Sequence, residues 1–269
     1  MKNKMSGESA EFEIHKQVDD ERQLVGDQVA REEPLQITVD GTPLAVVMRT
    51  PGDDEDLVRG FLLTEGLVHE LADVSRIDLD RQPNHAHVFL REGVVLDHAR
   101  LSRNLFSASS CGICGKASIE AIQQNAPPVE DGFSLSTDTV MTLPGVLRAI
   151  QEVFSQTGGL HAAALITADG EVLILREDVG RHNAIDKVIG WAMEQGVDLS
   201  QTLLQLSGRV SFEVMQKALV ARIPIVSAIS APTSLAVEFA RESGQTLIGF
   251  LRPPTFNIYA GEQRIVTSE

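Results

Sequence analysis

What this sequence lacks narrows the reading first. No apolar run approaches the roughly twenty residues a membrane-crossing helix needs. The opening MKNKMSGESAEFEIHKQ has no apolar core of the kind a secretory signal carries. Basic residues are outnumbered: 23 Lys and Arg against 38 Asp and Glu leave a net charge of −15 and a pI near 4.9. Such a chain lacks the cationic face that general nucleic-acid binding requires. Neither a Walker A sequence nor GxGxxG occurs, and there is no internal repeat or low-complexity tract. Cysteine is nearly absent, with two residues only, Cys111 and Cys114, in SASSCGICGKAS. These absences describe a cytoplasmic protein with no membrane insertion and no nucleic-acid partner. Thiols are kept reduced in that compartment, which disfavours a structural disulfide.

What is present fills a proper core: 269 residues, 43% of them hydrophobic, suit one large domain or two modest ones. Residues 1–33 are polar and acid-leaning, and read as a partly disordered N-terminus. Residues 34–105 read as a small α+β domain. In it LQITVDGTPLAVVMRT forms a hairpin about Asp40-Gly41, and a helix follows near 54–68. VSRIDLD and HAHVFLR supply further strands. Residues 106–135 read as a linker carrying a mobile CxxC loop. From 136 to 269 the pattern alternates. A helix near 144–156 precedes strands AAALITA and EVLILRE about Asp169-Gly170, and then a helix with Ala184, Ile185, Val188, Ile189, Ala192 and Met193 on one stripe. TLLQLS, PIVSAIS and TLIGFL then alternate with FEVMQKALV and TSLAVEFARE, the signature of an α/β layer with parallel strands.

The cysteine pair admits three readings. Structural zinc needs four ligands, and there is no second CxxC or metal-spaced histidine beside this one. A thioredoxin-like dithiol normally stands at a strand-to-helix junction, whereas this pair falls between two domains. A sulfur-carrying nucleophile needs a thiolate, which positive charge favours. Between Asp97 and Glu120 there is no acid, while Arg100, Arg103 and Lys116 are present.

Three polar junctions follow strands of the α/β half: REDVGRHNAIDK, SGRVSFE and SAPTS. Each is a strand end, small polar residues and a helix start, an arrangement that offers free backbone N–H groups to an anion. Arg181 could add a bidentate clamp. On successive parallel strands they would open on one sheet edge, where α/β folds bind ligands, and a phosphate-bearing ligand is the natural expectation. His161, in TGGLHAAAL, is a candidate ligand or base. GFLRPPTFNIYAG is either a rigid pocket edge or a surface turn.

SSCGICGKASIE, TGGLHAAAL, EDVGRHNAIDKVIG, SGRVSFEVMQKA and SAPTSLAVEFA, in this order, resemble the formate dehydrogenase accessory sulfurtransferases, the FdhD family. The resemblance implies a cytidine-deaminase-like α/β domain with a smaller N-terminal α+β domain. It implies that sulfur passes from a cysteine desulfurase to the CxxC loop, with Cys111 the persulfide intermediate and Cys114 assisting or resolving. The recipient implied is the molybdenum (or tungsten) bis-guanine-dinucleotide cofactor, a bound substrate on its way to formate dehydrogenase. Phe250, Leu251, Arg252, Pro253, Pro254 and Thr255 match the family's cofactor-binding segment. Arg181, His182 and Arg209 are added to that site from the junctions above. The family usually forms a homodimer, and no structural zinc is expected. A deaminase needs a glutamate after its histidine and a PCxxC. Here His161-Ala162-Ala163 and Ser207-Gly208-Arg209 stand in those places. Two other functions stay open: a cofactor-binding chaperone that transfers no sulfur, and a dithiol redox enzyme.

Overall fold

The structure, a computed structural model, describes residues 5–94, 126–130 and 132–267. The chain begins with β1 (Met5–Ser6), β2 (Ser9–Val18) and β3 (Glu21–Ala30). The polar composition of residues 1–33 pointed to a loose segment. Instead β2 and β3 pair antiparallel along their full length, from Ser9 opposite Ala30 to Val18 opposite Glu21. The signal that composition hid is a period of two: Ala10, Phe12 and Ile14 alternate with Glu11 and Glu13, which is strand patterning within an acidic stretch.

Next come β4 (Glu33–Val39), β5 (Thr42–Arg49), α1 (Asp54–Thr64), β6 (Val74–Asp78) and β7 (His85–Leu90). The expected hairpin is present. Val39 faces Thr42, and Asp40 and Gly41 both take positive φ, 47° and 80°, as a type I′ turn requires. The sheet order is β5-β4-β7-β6. Leu57, Val58 and Leu62 of α1 bury themselves against Leu35, Ile37, Ala86 and Val88 of that sheet.

The remainder runs β8 (Leu135–Ser136), α2 (Thr137–Ile150), α3 (Glu152–Thr157), β9 (His161–Ile166), β10 (Val172–Asp178) and α4 (Arg181–Gln195). It continues with β11 (Leu203–Leu206), α5 (Phe212–Val220), β12 (Ile225–Ala228), α6 (Ser234–Glu242), β13 (Thr246–Arg252), β14 (Thr255–Ala260) and β15 (Ile265–Val266). The helix expected near 144–156 is two helices and starts at Thr137. The Ser136 hydroxyl caps it by accepting from Thr139 N at 2.9 Å, and Pro144, a residue typical of a first turn, lies inside it.

The six-stranded sheet has the order β10-β9-β11-β12-β13-β14. β10, β11, β12 and β13 run in one direction; β9 is reversed between β10 and β11, and β14 is reversed beside β13. The expected layer of parallel strands is therefore present as part of a mixed sheet. The reason is the short links at Asp169-Gly170 and Pro253-Pro254, since a tight turn can join only antiparallel strands. Side chains alternate across the sheet. Leu165, Leu204, Val226 and Leu247 pack under α4, α5 and α6, while Ala164, Leu203, Ile225 and Ile248 pack under α2. Both faces are covered, which is why these strands read as unbroken apolar runs.

The small sheet's helix joins this body through an unusually close helix crossing. A methyl group built on Gly60 of α1 would lie 1.8 Å from the Asp186 carbonyl oxygen of α4, and one on Gly190 would lie 1.9 Å from that of Asp56. Two buried lysines flank the crossing. Lys217 of α5 donates to Asp186 Oδ2 at 2.9 Å, to Thr64 Oγ1 at 2.7 Å and to Glu65 Oε1 at 3.1 Å. Burial alone would lower its pKa, but the Asp186 and Glu65 carboxylates outweigh that and hold it above the ordinary lysine range. Lys187 of α4 donates to Asp178 Oδ2 at 2.9 Å and to the Thr50 carbonyl at 3.0 Å.

On an exposed helix, Gly→Ala stabilises by about 1 kcal/mol. At residue 60 the sign reverses, because the methyl group must force two backbones apart. Gly60→Ala should lower the unfolding free energy by roughly 3 kcal/mol, at the upper end of overpacking costs. Urea denaturation checks it, and an unchanged or raised midpoint would contradict the crossing.

Candidate functional site

The register of the central sheet sets one edge. Asp178 at the end of β10 stands opposite His161 at the start of β9, Leu206 of β11 lies beside Ala163 and Ala228, and Ser227 lies beside Ile248. The three polar junctions expected from the sequence therefore open on the same edge, together with the β13–β14 turn. Hydrogen bonds run laterally across it. Ala162 N donates to Ser207 Oγ at 2.8 Å, Val210 N to the Ala231 carbonyl at 3.2 Å, and Phe250 N to the Ser230 carbonyl at 3.1 Å. The Arg252 guanidinium donates to the Ile229 carbonyl at 3.3 Å.

Phe250 is 41% exposed and has φ of 50°, a left-handed backbone that an aromatic residue rarely adopts. Its amide is held by Ser230, so the turn keeps this conformation while presenting the ring to solvent. Strain of this kind, fixed by its surroundings, concentrates at ligand sites.

Two helices end here with open N-termini. α4 begins at Gly180 and α5 at Ser211, neither capped by a side chain, whereas α6 is capped by Thr233. Free N–H groups and the helix dipole favour an anion at such ends. Arg181 and His182 form the first turn of α4, and His182 Nε2 is 3.0 Å from Glu213 Oε2 in the first turn of α5. Arg181 Nε, Ser211 Oγ and Glu213 Oε1 are shielded from water and have no hydrogen-bond partner among the described residues. Buried polar atoms are normally satisfied, so Arg181 Nε and Ser211 Oγ call for water or a ligand oxygen, and Glu213 Oε1 for a donor.

His161 lies among these groups. A methyl on Gly208 would come within 3.1 Å of its Nδ1, so the β11 junction passes closely over the ring. Burial pushes the His161 pKa down. The Arg181, His182 and Arg209 charges push it further, and Asp178 opposes them. The imidazole is therefore neutral at neutral pH, beside three cationic or proton-accepting partners.

The junction carrying Arg181 is fastened from the small sheet's side. The fully buried Asp178 carboxylate accepts from Thr50 N at 3.1 Å, Gly180 N at 2.8 Å and Asn183 Nδ2 at 2.9 Å, besides Lys187. Val179 N in turn donates to Thr50 Oγ1 at 3.1 Å. Sequence reading named Arg181, His182, Arg209 and the Phe250–Thr255 segment, all of which stand on this edge. It passed over Asp178, Lys187, Ser211 and Glu213 as site residues. A charge in the run before a helix was the available signal, and a polar turn reads the same way. Cys111 and Cys114, with the linker that holds them, lie outside the described residues. Among the described residues there is no group of three or more metal-ligating side chains, and no helix is long and apolar enough to cross a membrane.

The FdhD/NarQ family model matches residues 30–266. This chain belongs to the FdhD/NarQ family. Its FdhD relatives include the sulfur carrier protein FdhD of Streptomyces avermitilis, 49% identical over 255 residues, 89% of each chain. The protein so named in Mycobacterium tuberculosis is 46% identical over 265 residues, 91% of this chain and 96% of that one. A solved structure described as a formate dehydrogenase accessory protein from Desulfotalea psychrophila shares the fold, with a TM-score of 0.79 at 23% identity. That match covers 96% of this chain and 100% of the other.

The His161 environment is testable by NMR titration of the FdhD-family chain. His161 should titrate below the ordinary value of about 6.5. Arg181→Gln should raise it part of the way only, because burial is the larger cause. By linkage the unfolded chain takes up this proton at a higher pH than the folded one. Stability is then lost as pH falls from about 6.5 through the lowered value. His161→Gln should flatten that limb of the stability curve, and a His161 titration above 6.5 would contradict the assignment.

Proposed function

We propose that this protein is a sulfur carrier that receives sulfane sulfur from a cysteine desulfurase. It delivers that sulfur to the molybdenum (or tungsten) bis-guanine-dinucleotide cofactor destined for formate dehydrogenase. The observation that carries the reading is family membership together with a sheet edge at which two helices begin without side-chain caps beside Arg181, on a chain of net charge −15. The relatives' names supply the sulfur-carrier role, and the sequence supplies the only thiols, Cys111 and Cys114.

The chemistry divides between two parts of the chain. The Cys111 thiolate attacks the outer sulfur of the donor persulfide. One S–S bond forms as another breaks, and the desulfurase cysteine leaves as thiolate. For release, the Cys114 thiolate attacks the Cys111 sulfur. A Cys111–Cys114 disulfide forms, the outer sulfur departs as sulfide, and the dithiol supplies the two electrons. Neither step needs a metal ion held by the protein or an elaborate acid–base relay.

The sheet edge does the holding. The open ends of α4 and α5 with Arg181, His182 and Arg209 take the pyrophosphate of the guanine dinucleotide. The Phe250–Thr255 segment lies along the same edge and lines the base side, with Arg252 and the exposed Phe250 ring. The strand order, with β9 reversed beside β11, supports a deaminase-like frame. In that frame His161 and Ser207-Gly208-Arg209 occupy the metal-ligand positions. With no glutamate after His161 and no cysteine after β11, deamination has neither its ligands nor its base, and an anion-holding role replaces it. The carrier acts as a homodimer in the cytoplasm, where reducing conditions keep its dithiol available.

Two measurements test this. Incubated with cysteine and a desulfurase, the wild-type chain should gain about 32 Da per labile sulfur on intact mass, one sulfur atom on a thiolate. Cys111→Ala should gain none; equal gain removes Cys111 from the role. Calorimetry with guanosine diphosphate should show binding that Arg181→Gln weakens roughly tenfold or more, the loss expected for a charge-assisted bond. Equal binding of adenosine diphosphate, or none of either, would remove the guanine anchor.

A further inference from the structure

The first turn of α4 lacks the usual local support. Its N-cap is Gly180, which has no side chain to accept from the turn's free N–H groups, and the turn holds no acid. Nothing within the helix therefore fixes the direction in which those groups point. Yet this turn carries Arg181 and His182, and Arg181 Nε is shielded from water. The support comes from outside the helix.

Two ties reach the turn from the end of β5, and they lie on either side of Gly180. Before it, Val179 N donates to the hydroxyl of Thr50, the residue after β5, at 3.1 Å. After it, Asn183 Nδ2 donates to the Met48 carbonyl at 2.7 Å and to Asp178 Oδ1 at 2.9 Å. The glycine cap makes the second tie possible. A methyl group built on Gly180 would lie 2.7 Å from Asn183 Nδ2, so a conventional capping side chain would push the amide away. Thr50 is 1% exposed, and water has little access to compete for its hydroxyl. Asp178 would oppose an anion at this helix end, but Lys187 pairs with its Oδ2 at 2.9 Å and cancels much of that field.

We propose that Thr50 and Asn183 are positioning residues for the anion site. Through them the end of β5 splints the first turn of α4, and so fixes where Arg181 and the free N–H groups stand. Neither residue takes the ligand itself. The proposal rests on the sheet edge as the pyrophosphate site, and it assigns the residues that set the affinity of that site. Affinity depends on this kind of support, because a site whose groups are loose by about 1 Å loses much of its binding. The competing account is that both ties only hold the two units together. The two accounts differ in what a folded variant does. Losing a splint lowers affinity, whereas losing a merely structural tie lowers stability alone.

Calorimetry with guanosine diphosphate on the full-length chain tests this, at a temperature where thermal melts show each variant folded. Thr50→Val keeps the shape of the side chain and removes the hydroxyl, Thr50→Ser keeps the hydroxyl, and Asn183→Ala removes both amide bonds. Ile37→Val takes a methyl group from the buried core of the small sheet, lowering stability without touching the turn. Thr50→Val should weaken binding roughly fivefold and Asn183→Ala roughly tenfold, the scale of one or two lost hydrogen bonds. Thr50→Ser and Ile37→Val should stay within about twofold of the wild type, as expected where the ties are kept. A wild type that binds no guanosine diphosphate overturns the pyrophosphate site, and this proposal with it. A wild type that binds, with Thr50→Val unchanged, overturns the splint alone. Equal weakening by Ile37→Val and Thr50→Val does the same, since affinity would then follow stability, and so does a Thr50→Ser variant no better than Thr50→Val. Should Asn183→Ala fail to fold, the two Thr50 variants still decide.

Discussion

At the crossing of α1 and α4 the two backbones approach so closely that no side chain larger than hydrogen fits at either Gly60 or Gly190. The approach removes all room for water between the helices, and it brings the start of the small sheet's helix within reach of the α/β body. What would otherwise be two units sharing a polar surface becomes one seam. Helical glycine costs about 1 kcal/mol in conformational entropy. Two such glycines, one on each facing helix, are tolerated because close dispersion contact over the crossing offsets that cost.

The polar groups flanking the crossing follow from it. Lys187 and Lys217 are buried, and an unpaired buried ammonium would cost several kcal/mol. Each is paired with a carboxylate, and each also reaches across the seam to Thr50, Thr64 or Glu65. A buried ion pair is weak evidence for net stability, but its geometry is demanding, so it fixes where the partners sit. Asp178 is the clearest case. Its four hydrogen bonds tie Thr50, the residue after β5, to Gly180, Asn183 and Lys187 at the start of α4. The helix end that presents Arg181 and His182 is therefore positioned by the same contacts that hold the two units together. A loosened seam would reach the sheet edge through this turn.

Legibility in the sequence followed the range of the interaction. Local signals were readable: the Asp40-Gly41 turn, the apolar stripe of α4, and the strand-then-helix junctions that place Arg181, His182 and Arg209. Signals that depend on a distant partner were not. Gly60 and Gly190 sit in helical patterns where a glycine looks like a weak point, and only the facing helix explains them. Asp178 and Lys187 were read only as part of a polar junction, because the partner that makes them a latch, Thr50, lies 128 residues from Asp178. The β2–β3 ribbon failed for another reason. Its alternation was present, but an acidic composition pointed to disorder, and composition describes solvation while register describes pairing. The antiparallel course of β9 was implicit in the Asp169-Gly170 turn, which the alternation of strands and helices overrode.

Under the proposed function, the placement of charge bears on how an anionic substrate would reach the edge. A body of net charge −15 repels anions at long range, yet at physiological ionic strength that repulsion fades over about 8 Å. On that reading the attraction at the edge would come from groups at contact distance, Arg181 and two open helix ends, whose partial burial shields them from salt, with the Glu213 carboxylate beside His182 opposing it. An anion therefore gains little until it is nearly in place and then gains most of its binding at once. Such a site discriminates by fit more than by steering. The same logic favours a substrate whose charge is concentrated at one pole and whose remaining surface can meet an exposed ring such as Phe250. A diphosphate joined to a flat heterocycle has that shape. A simple inorganic anion would satisfy the helix ends and leave the strained Phe250 turn without a partner.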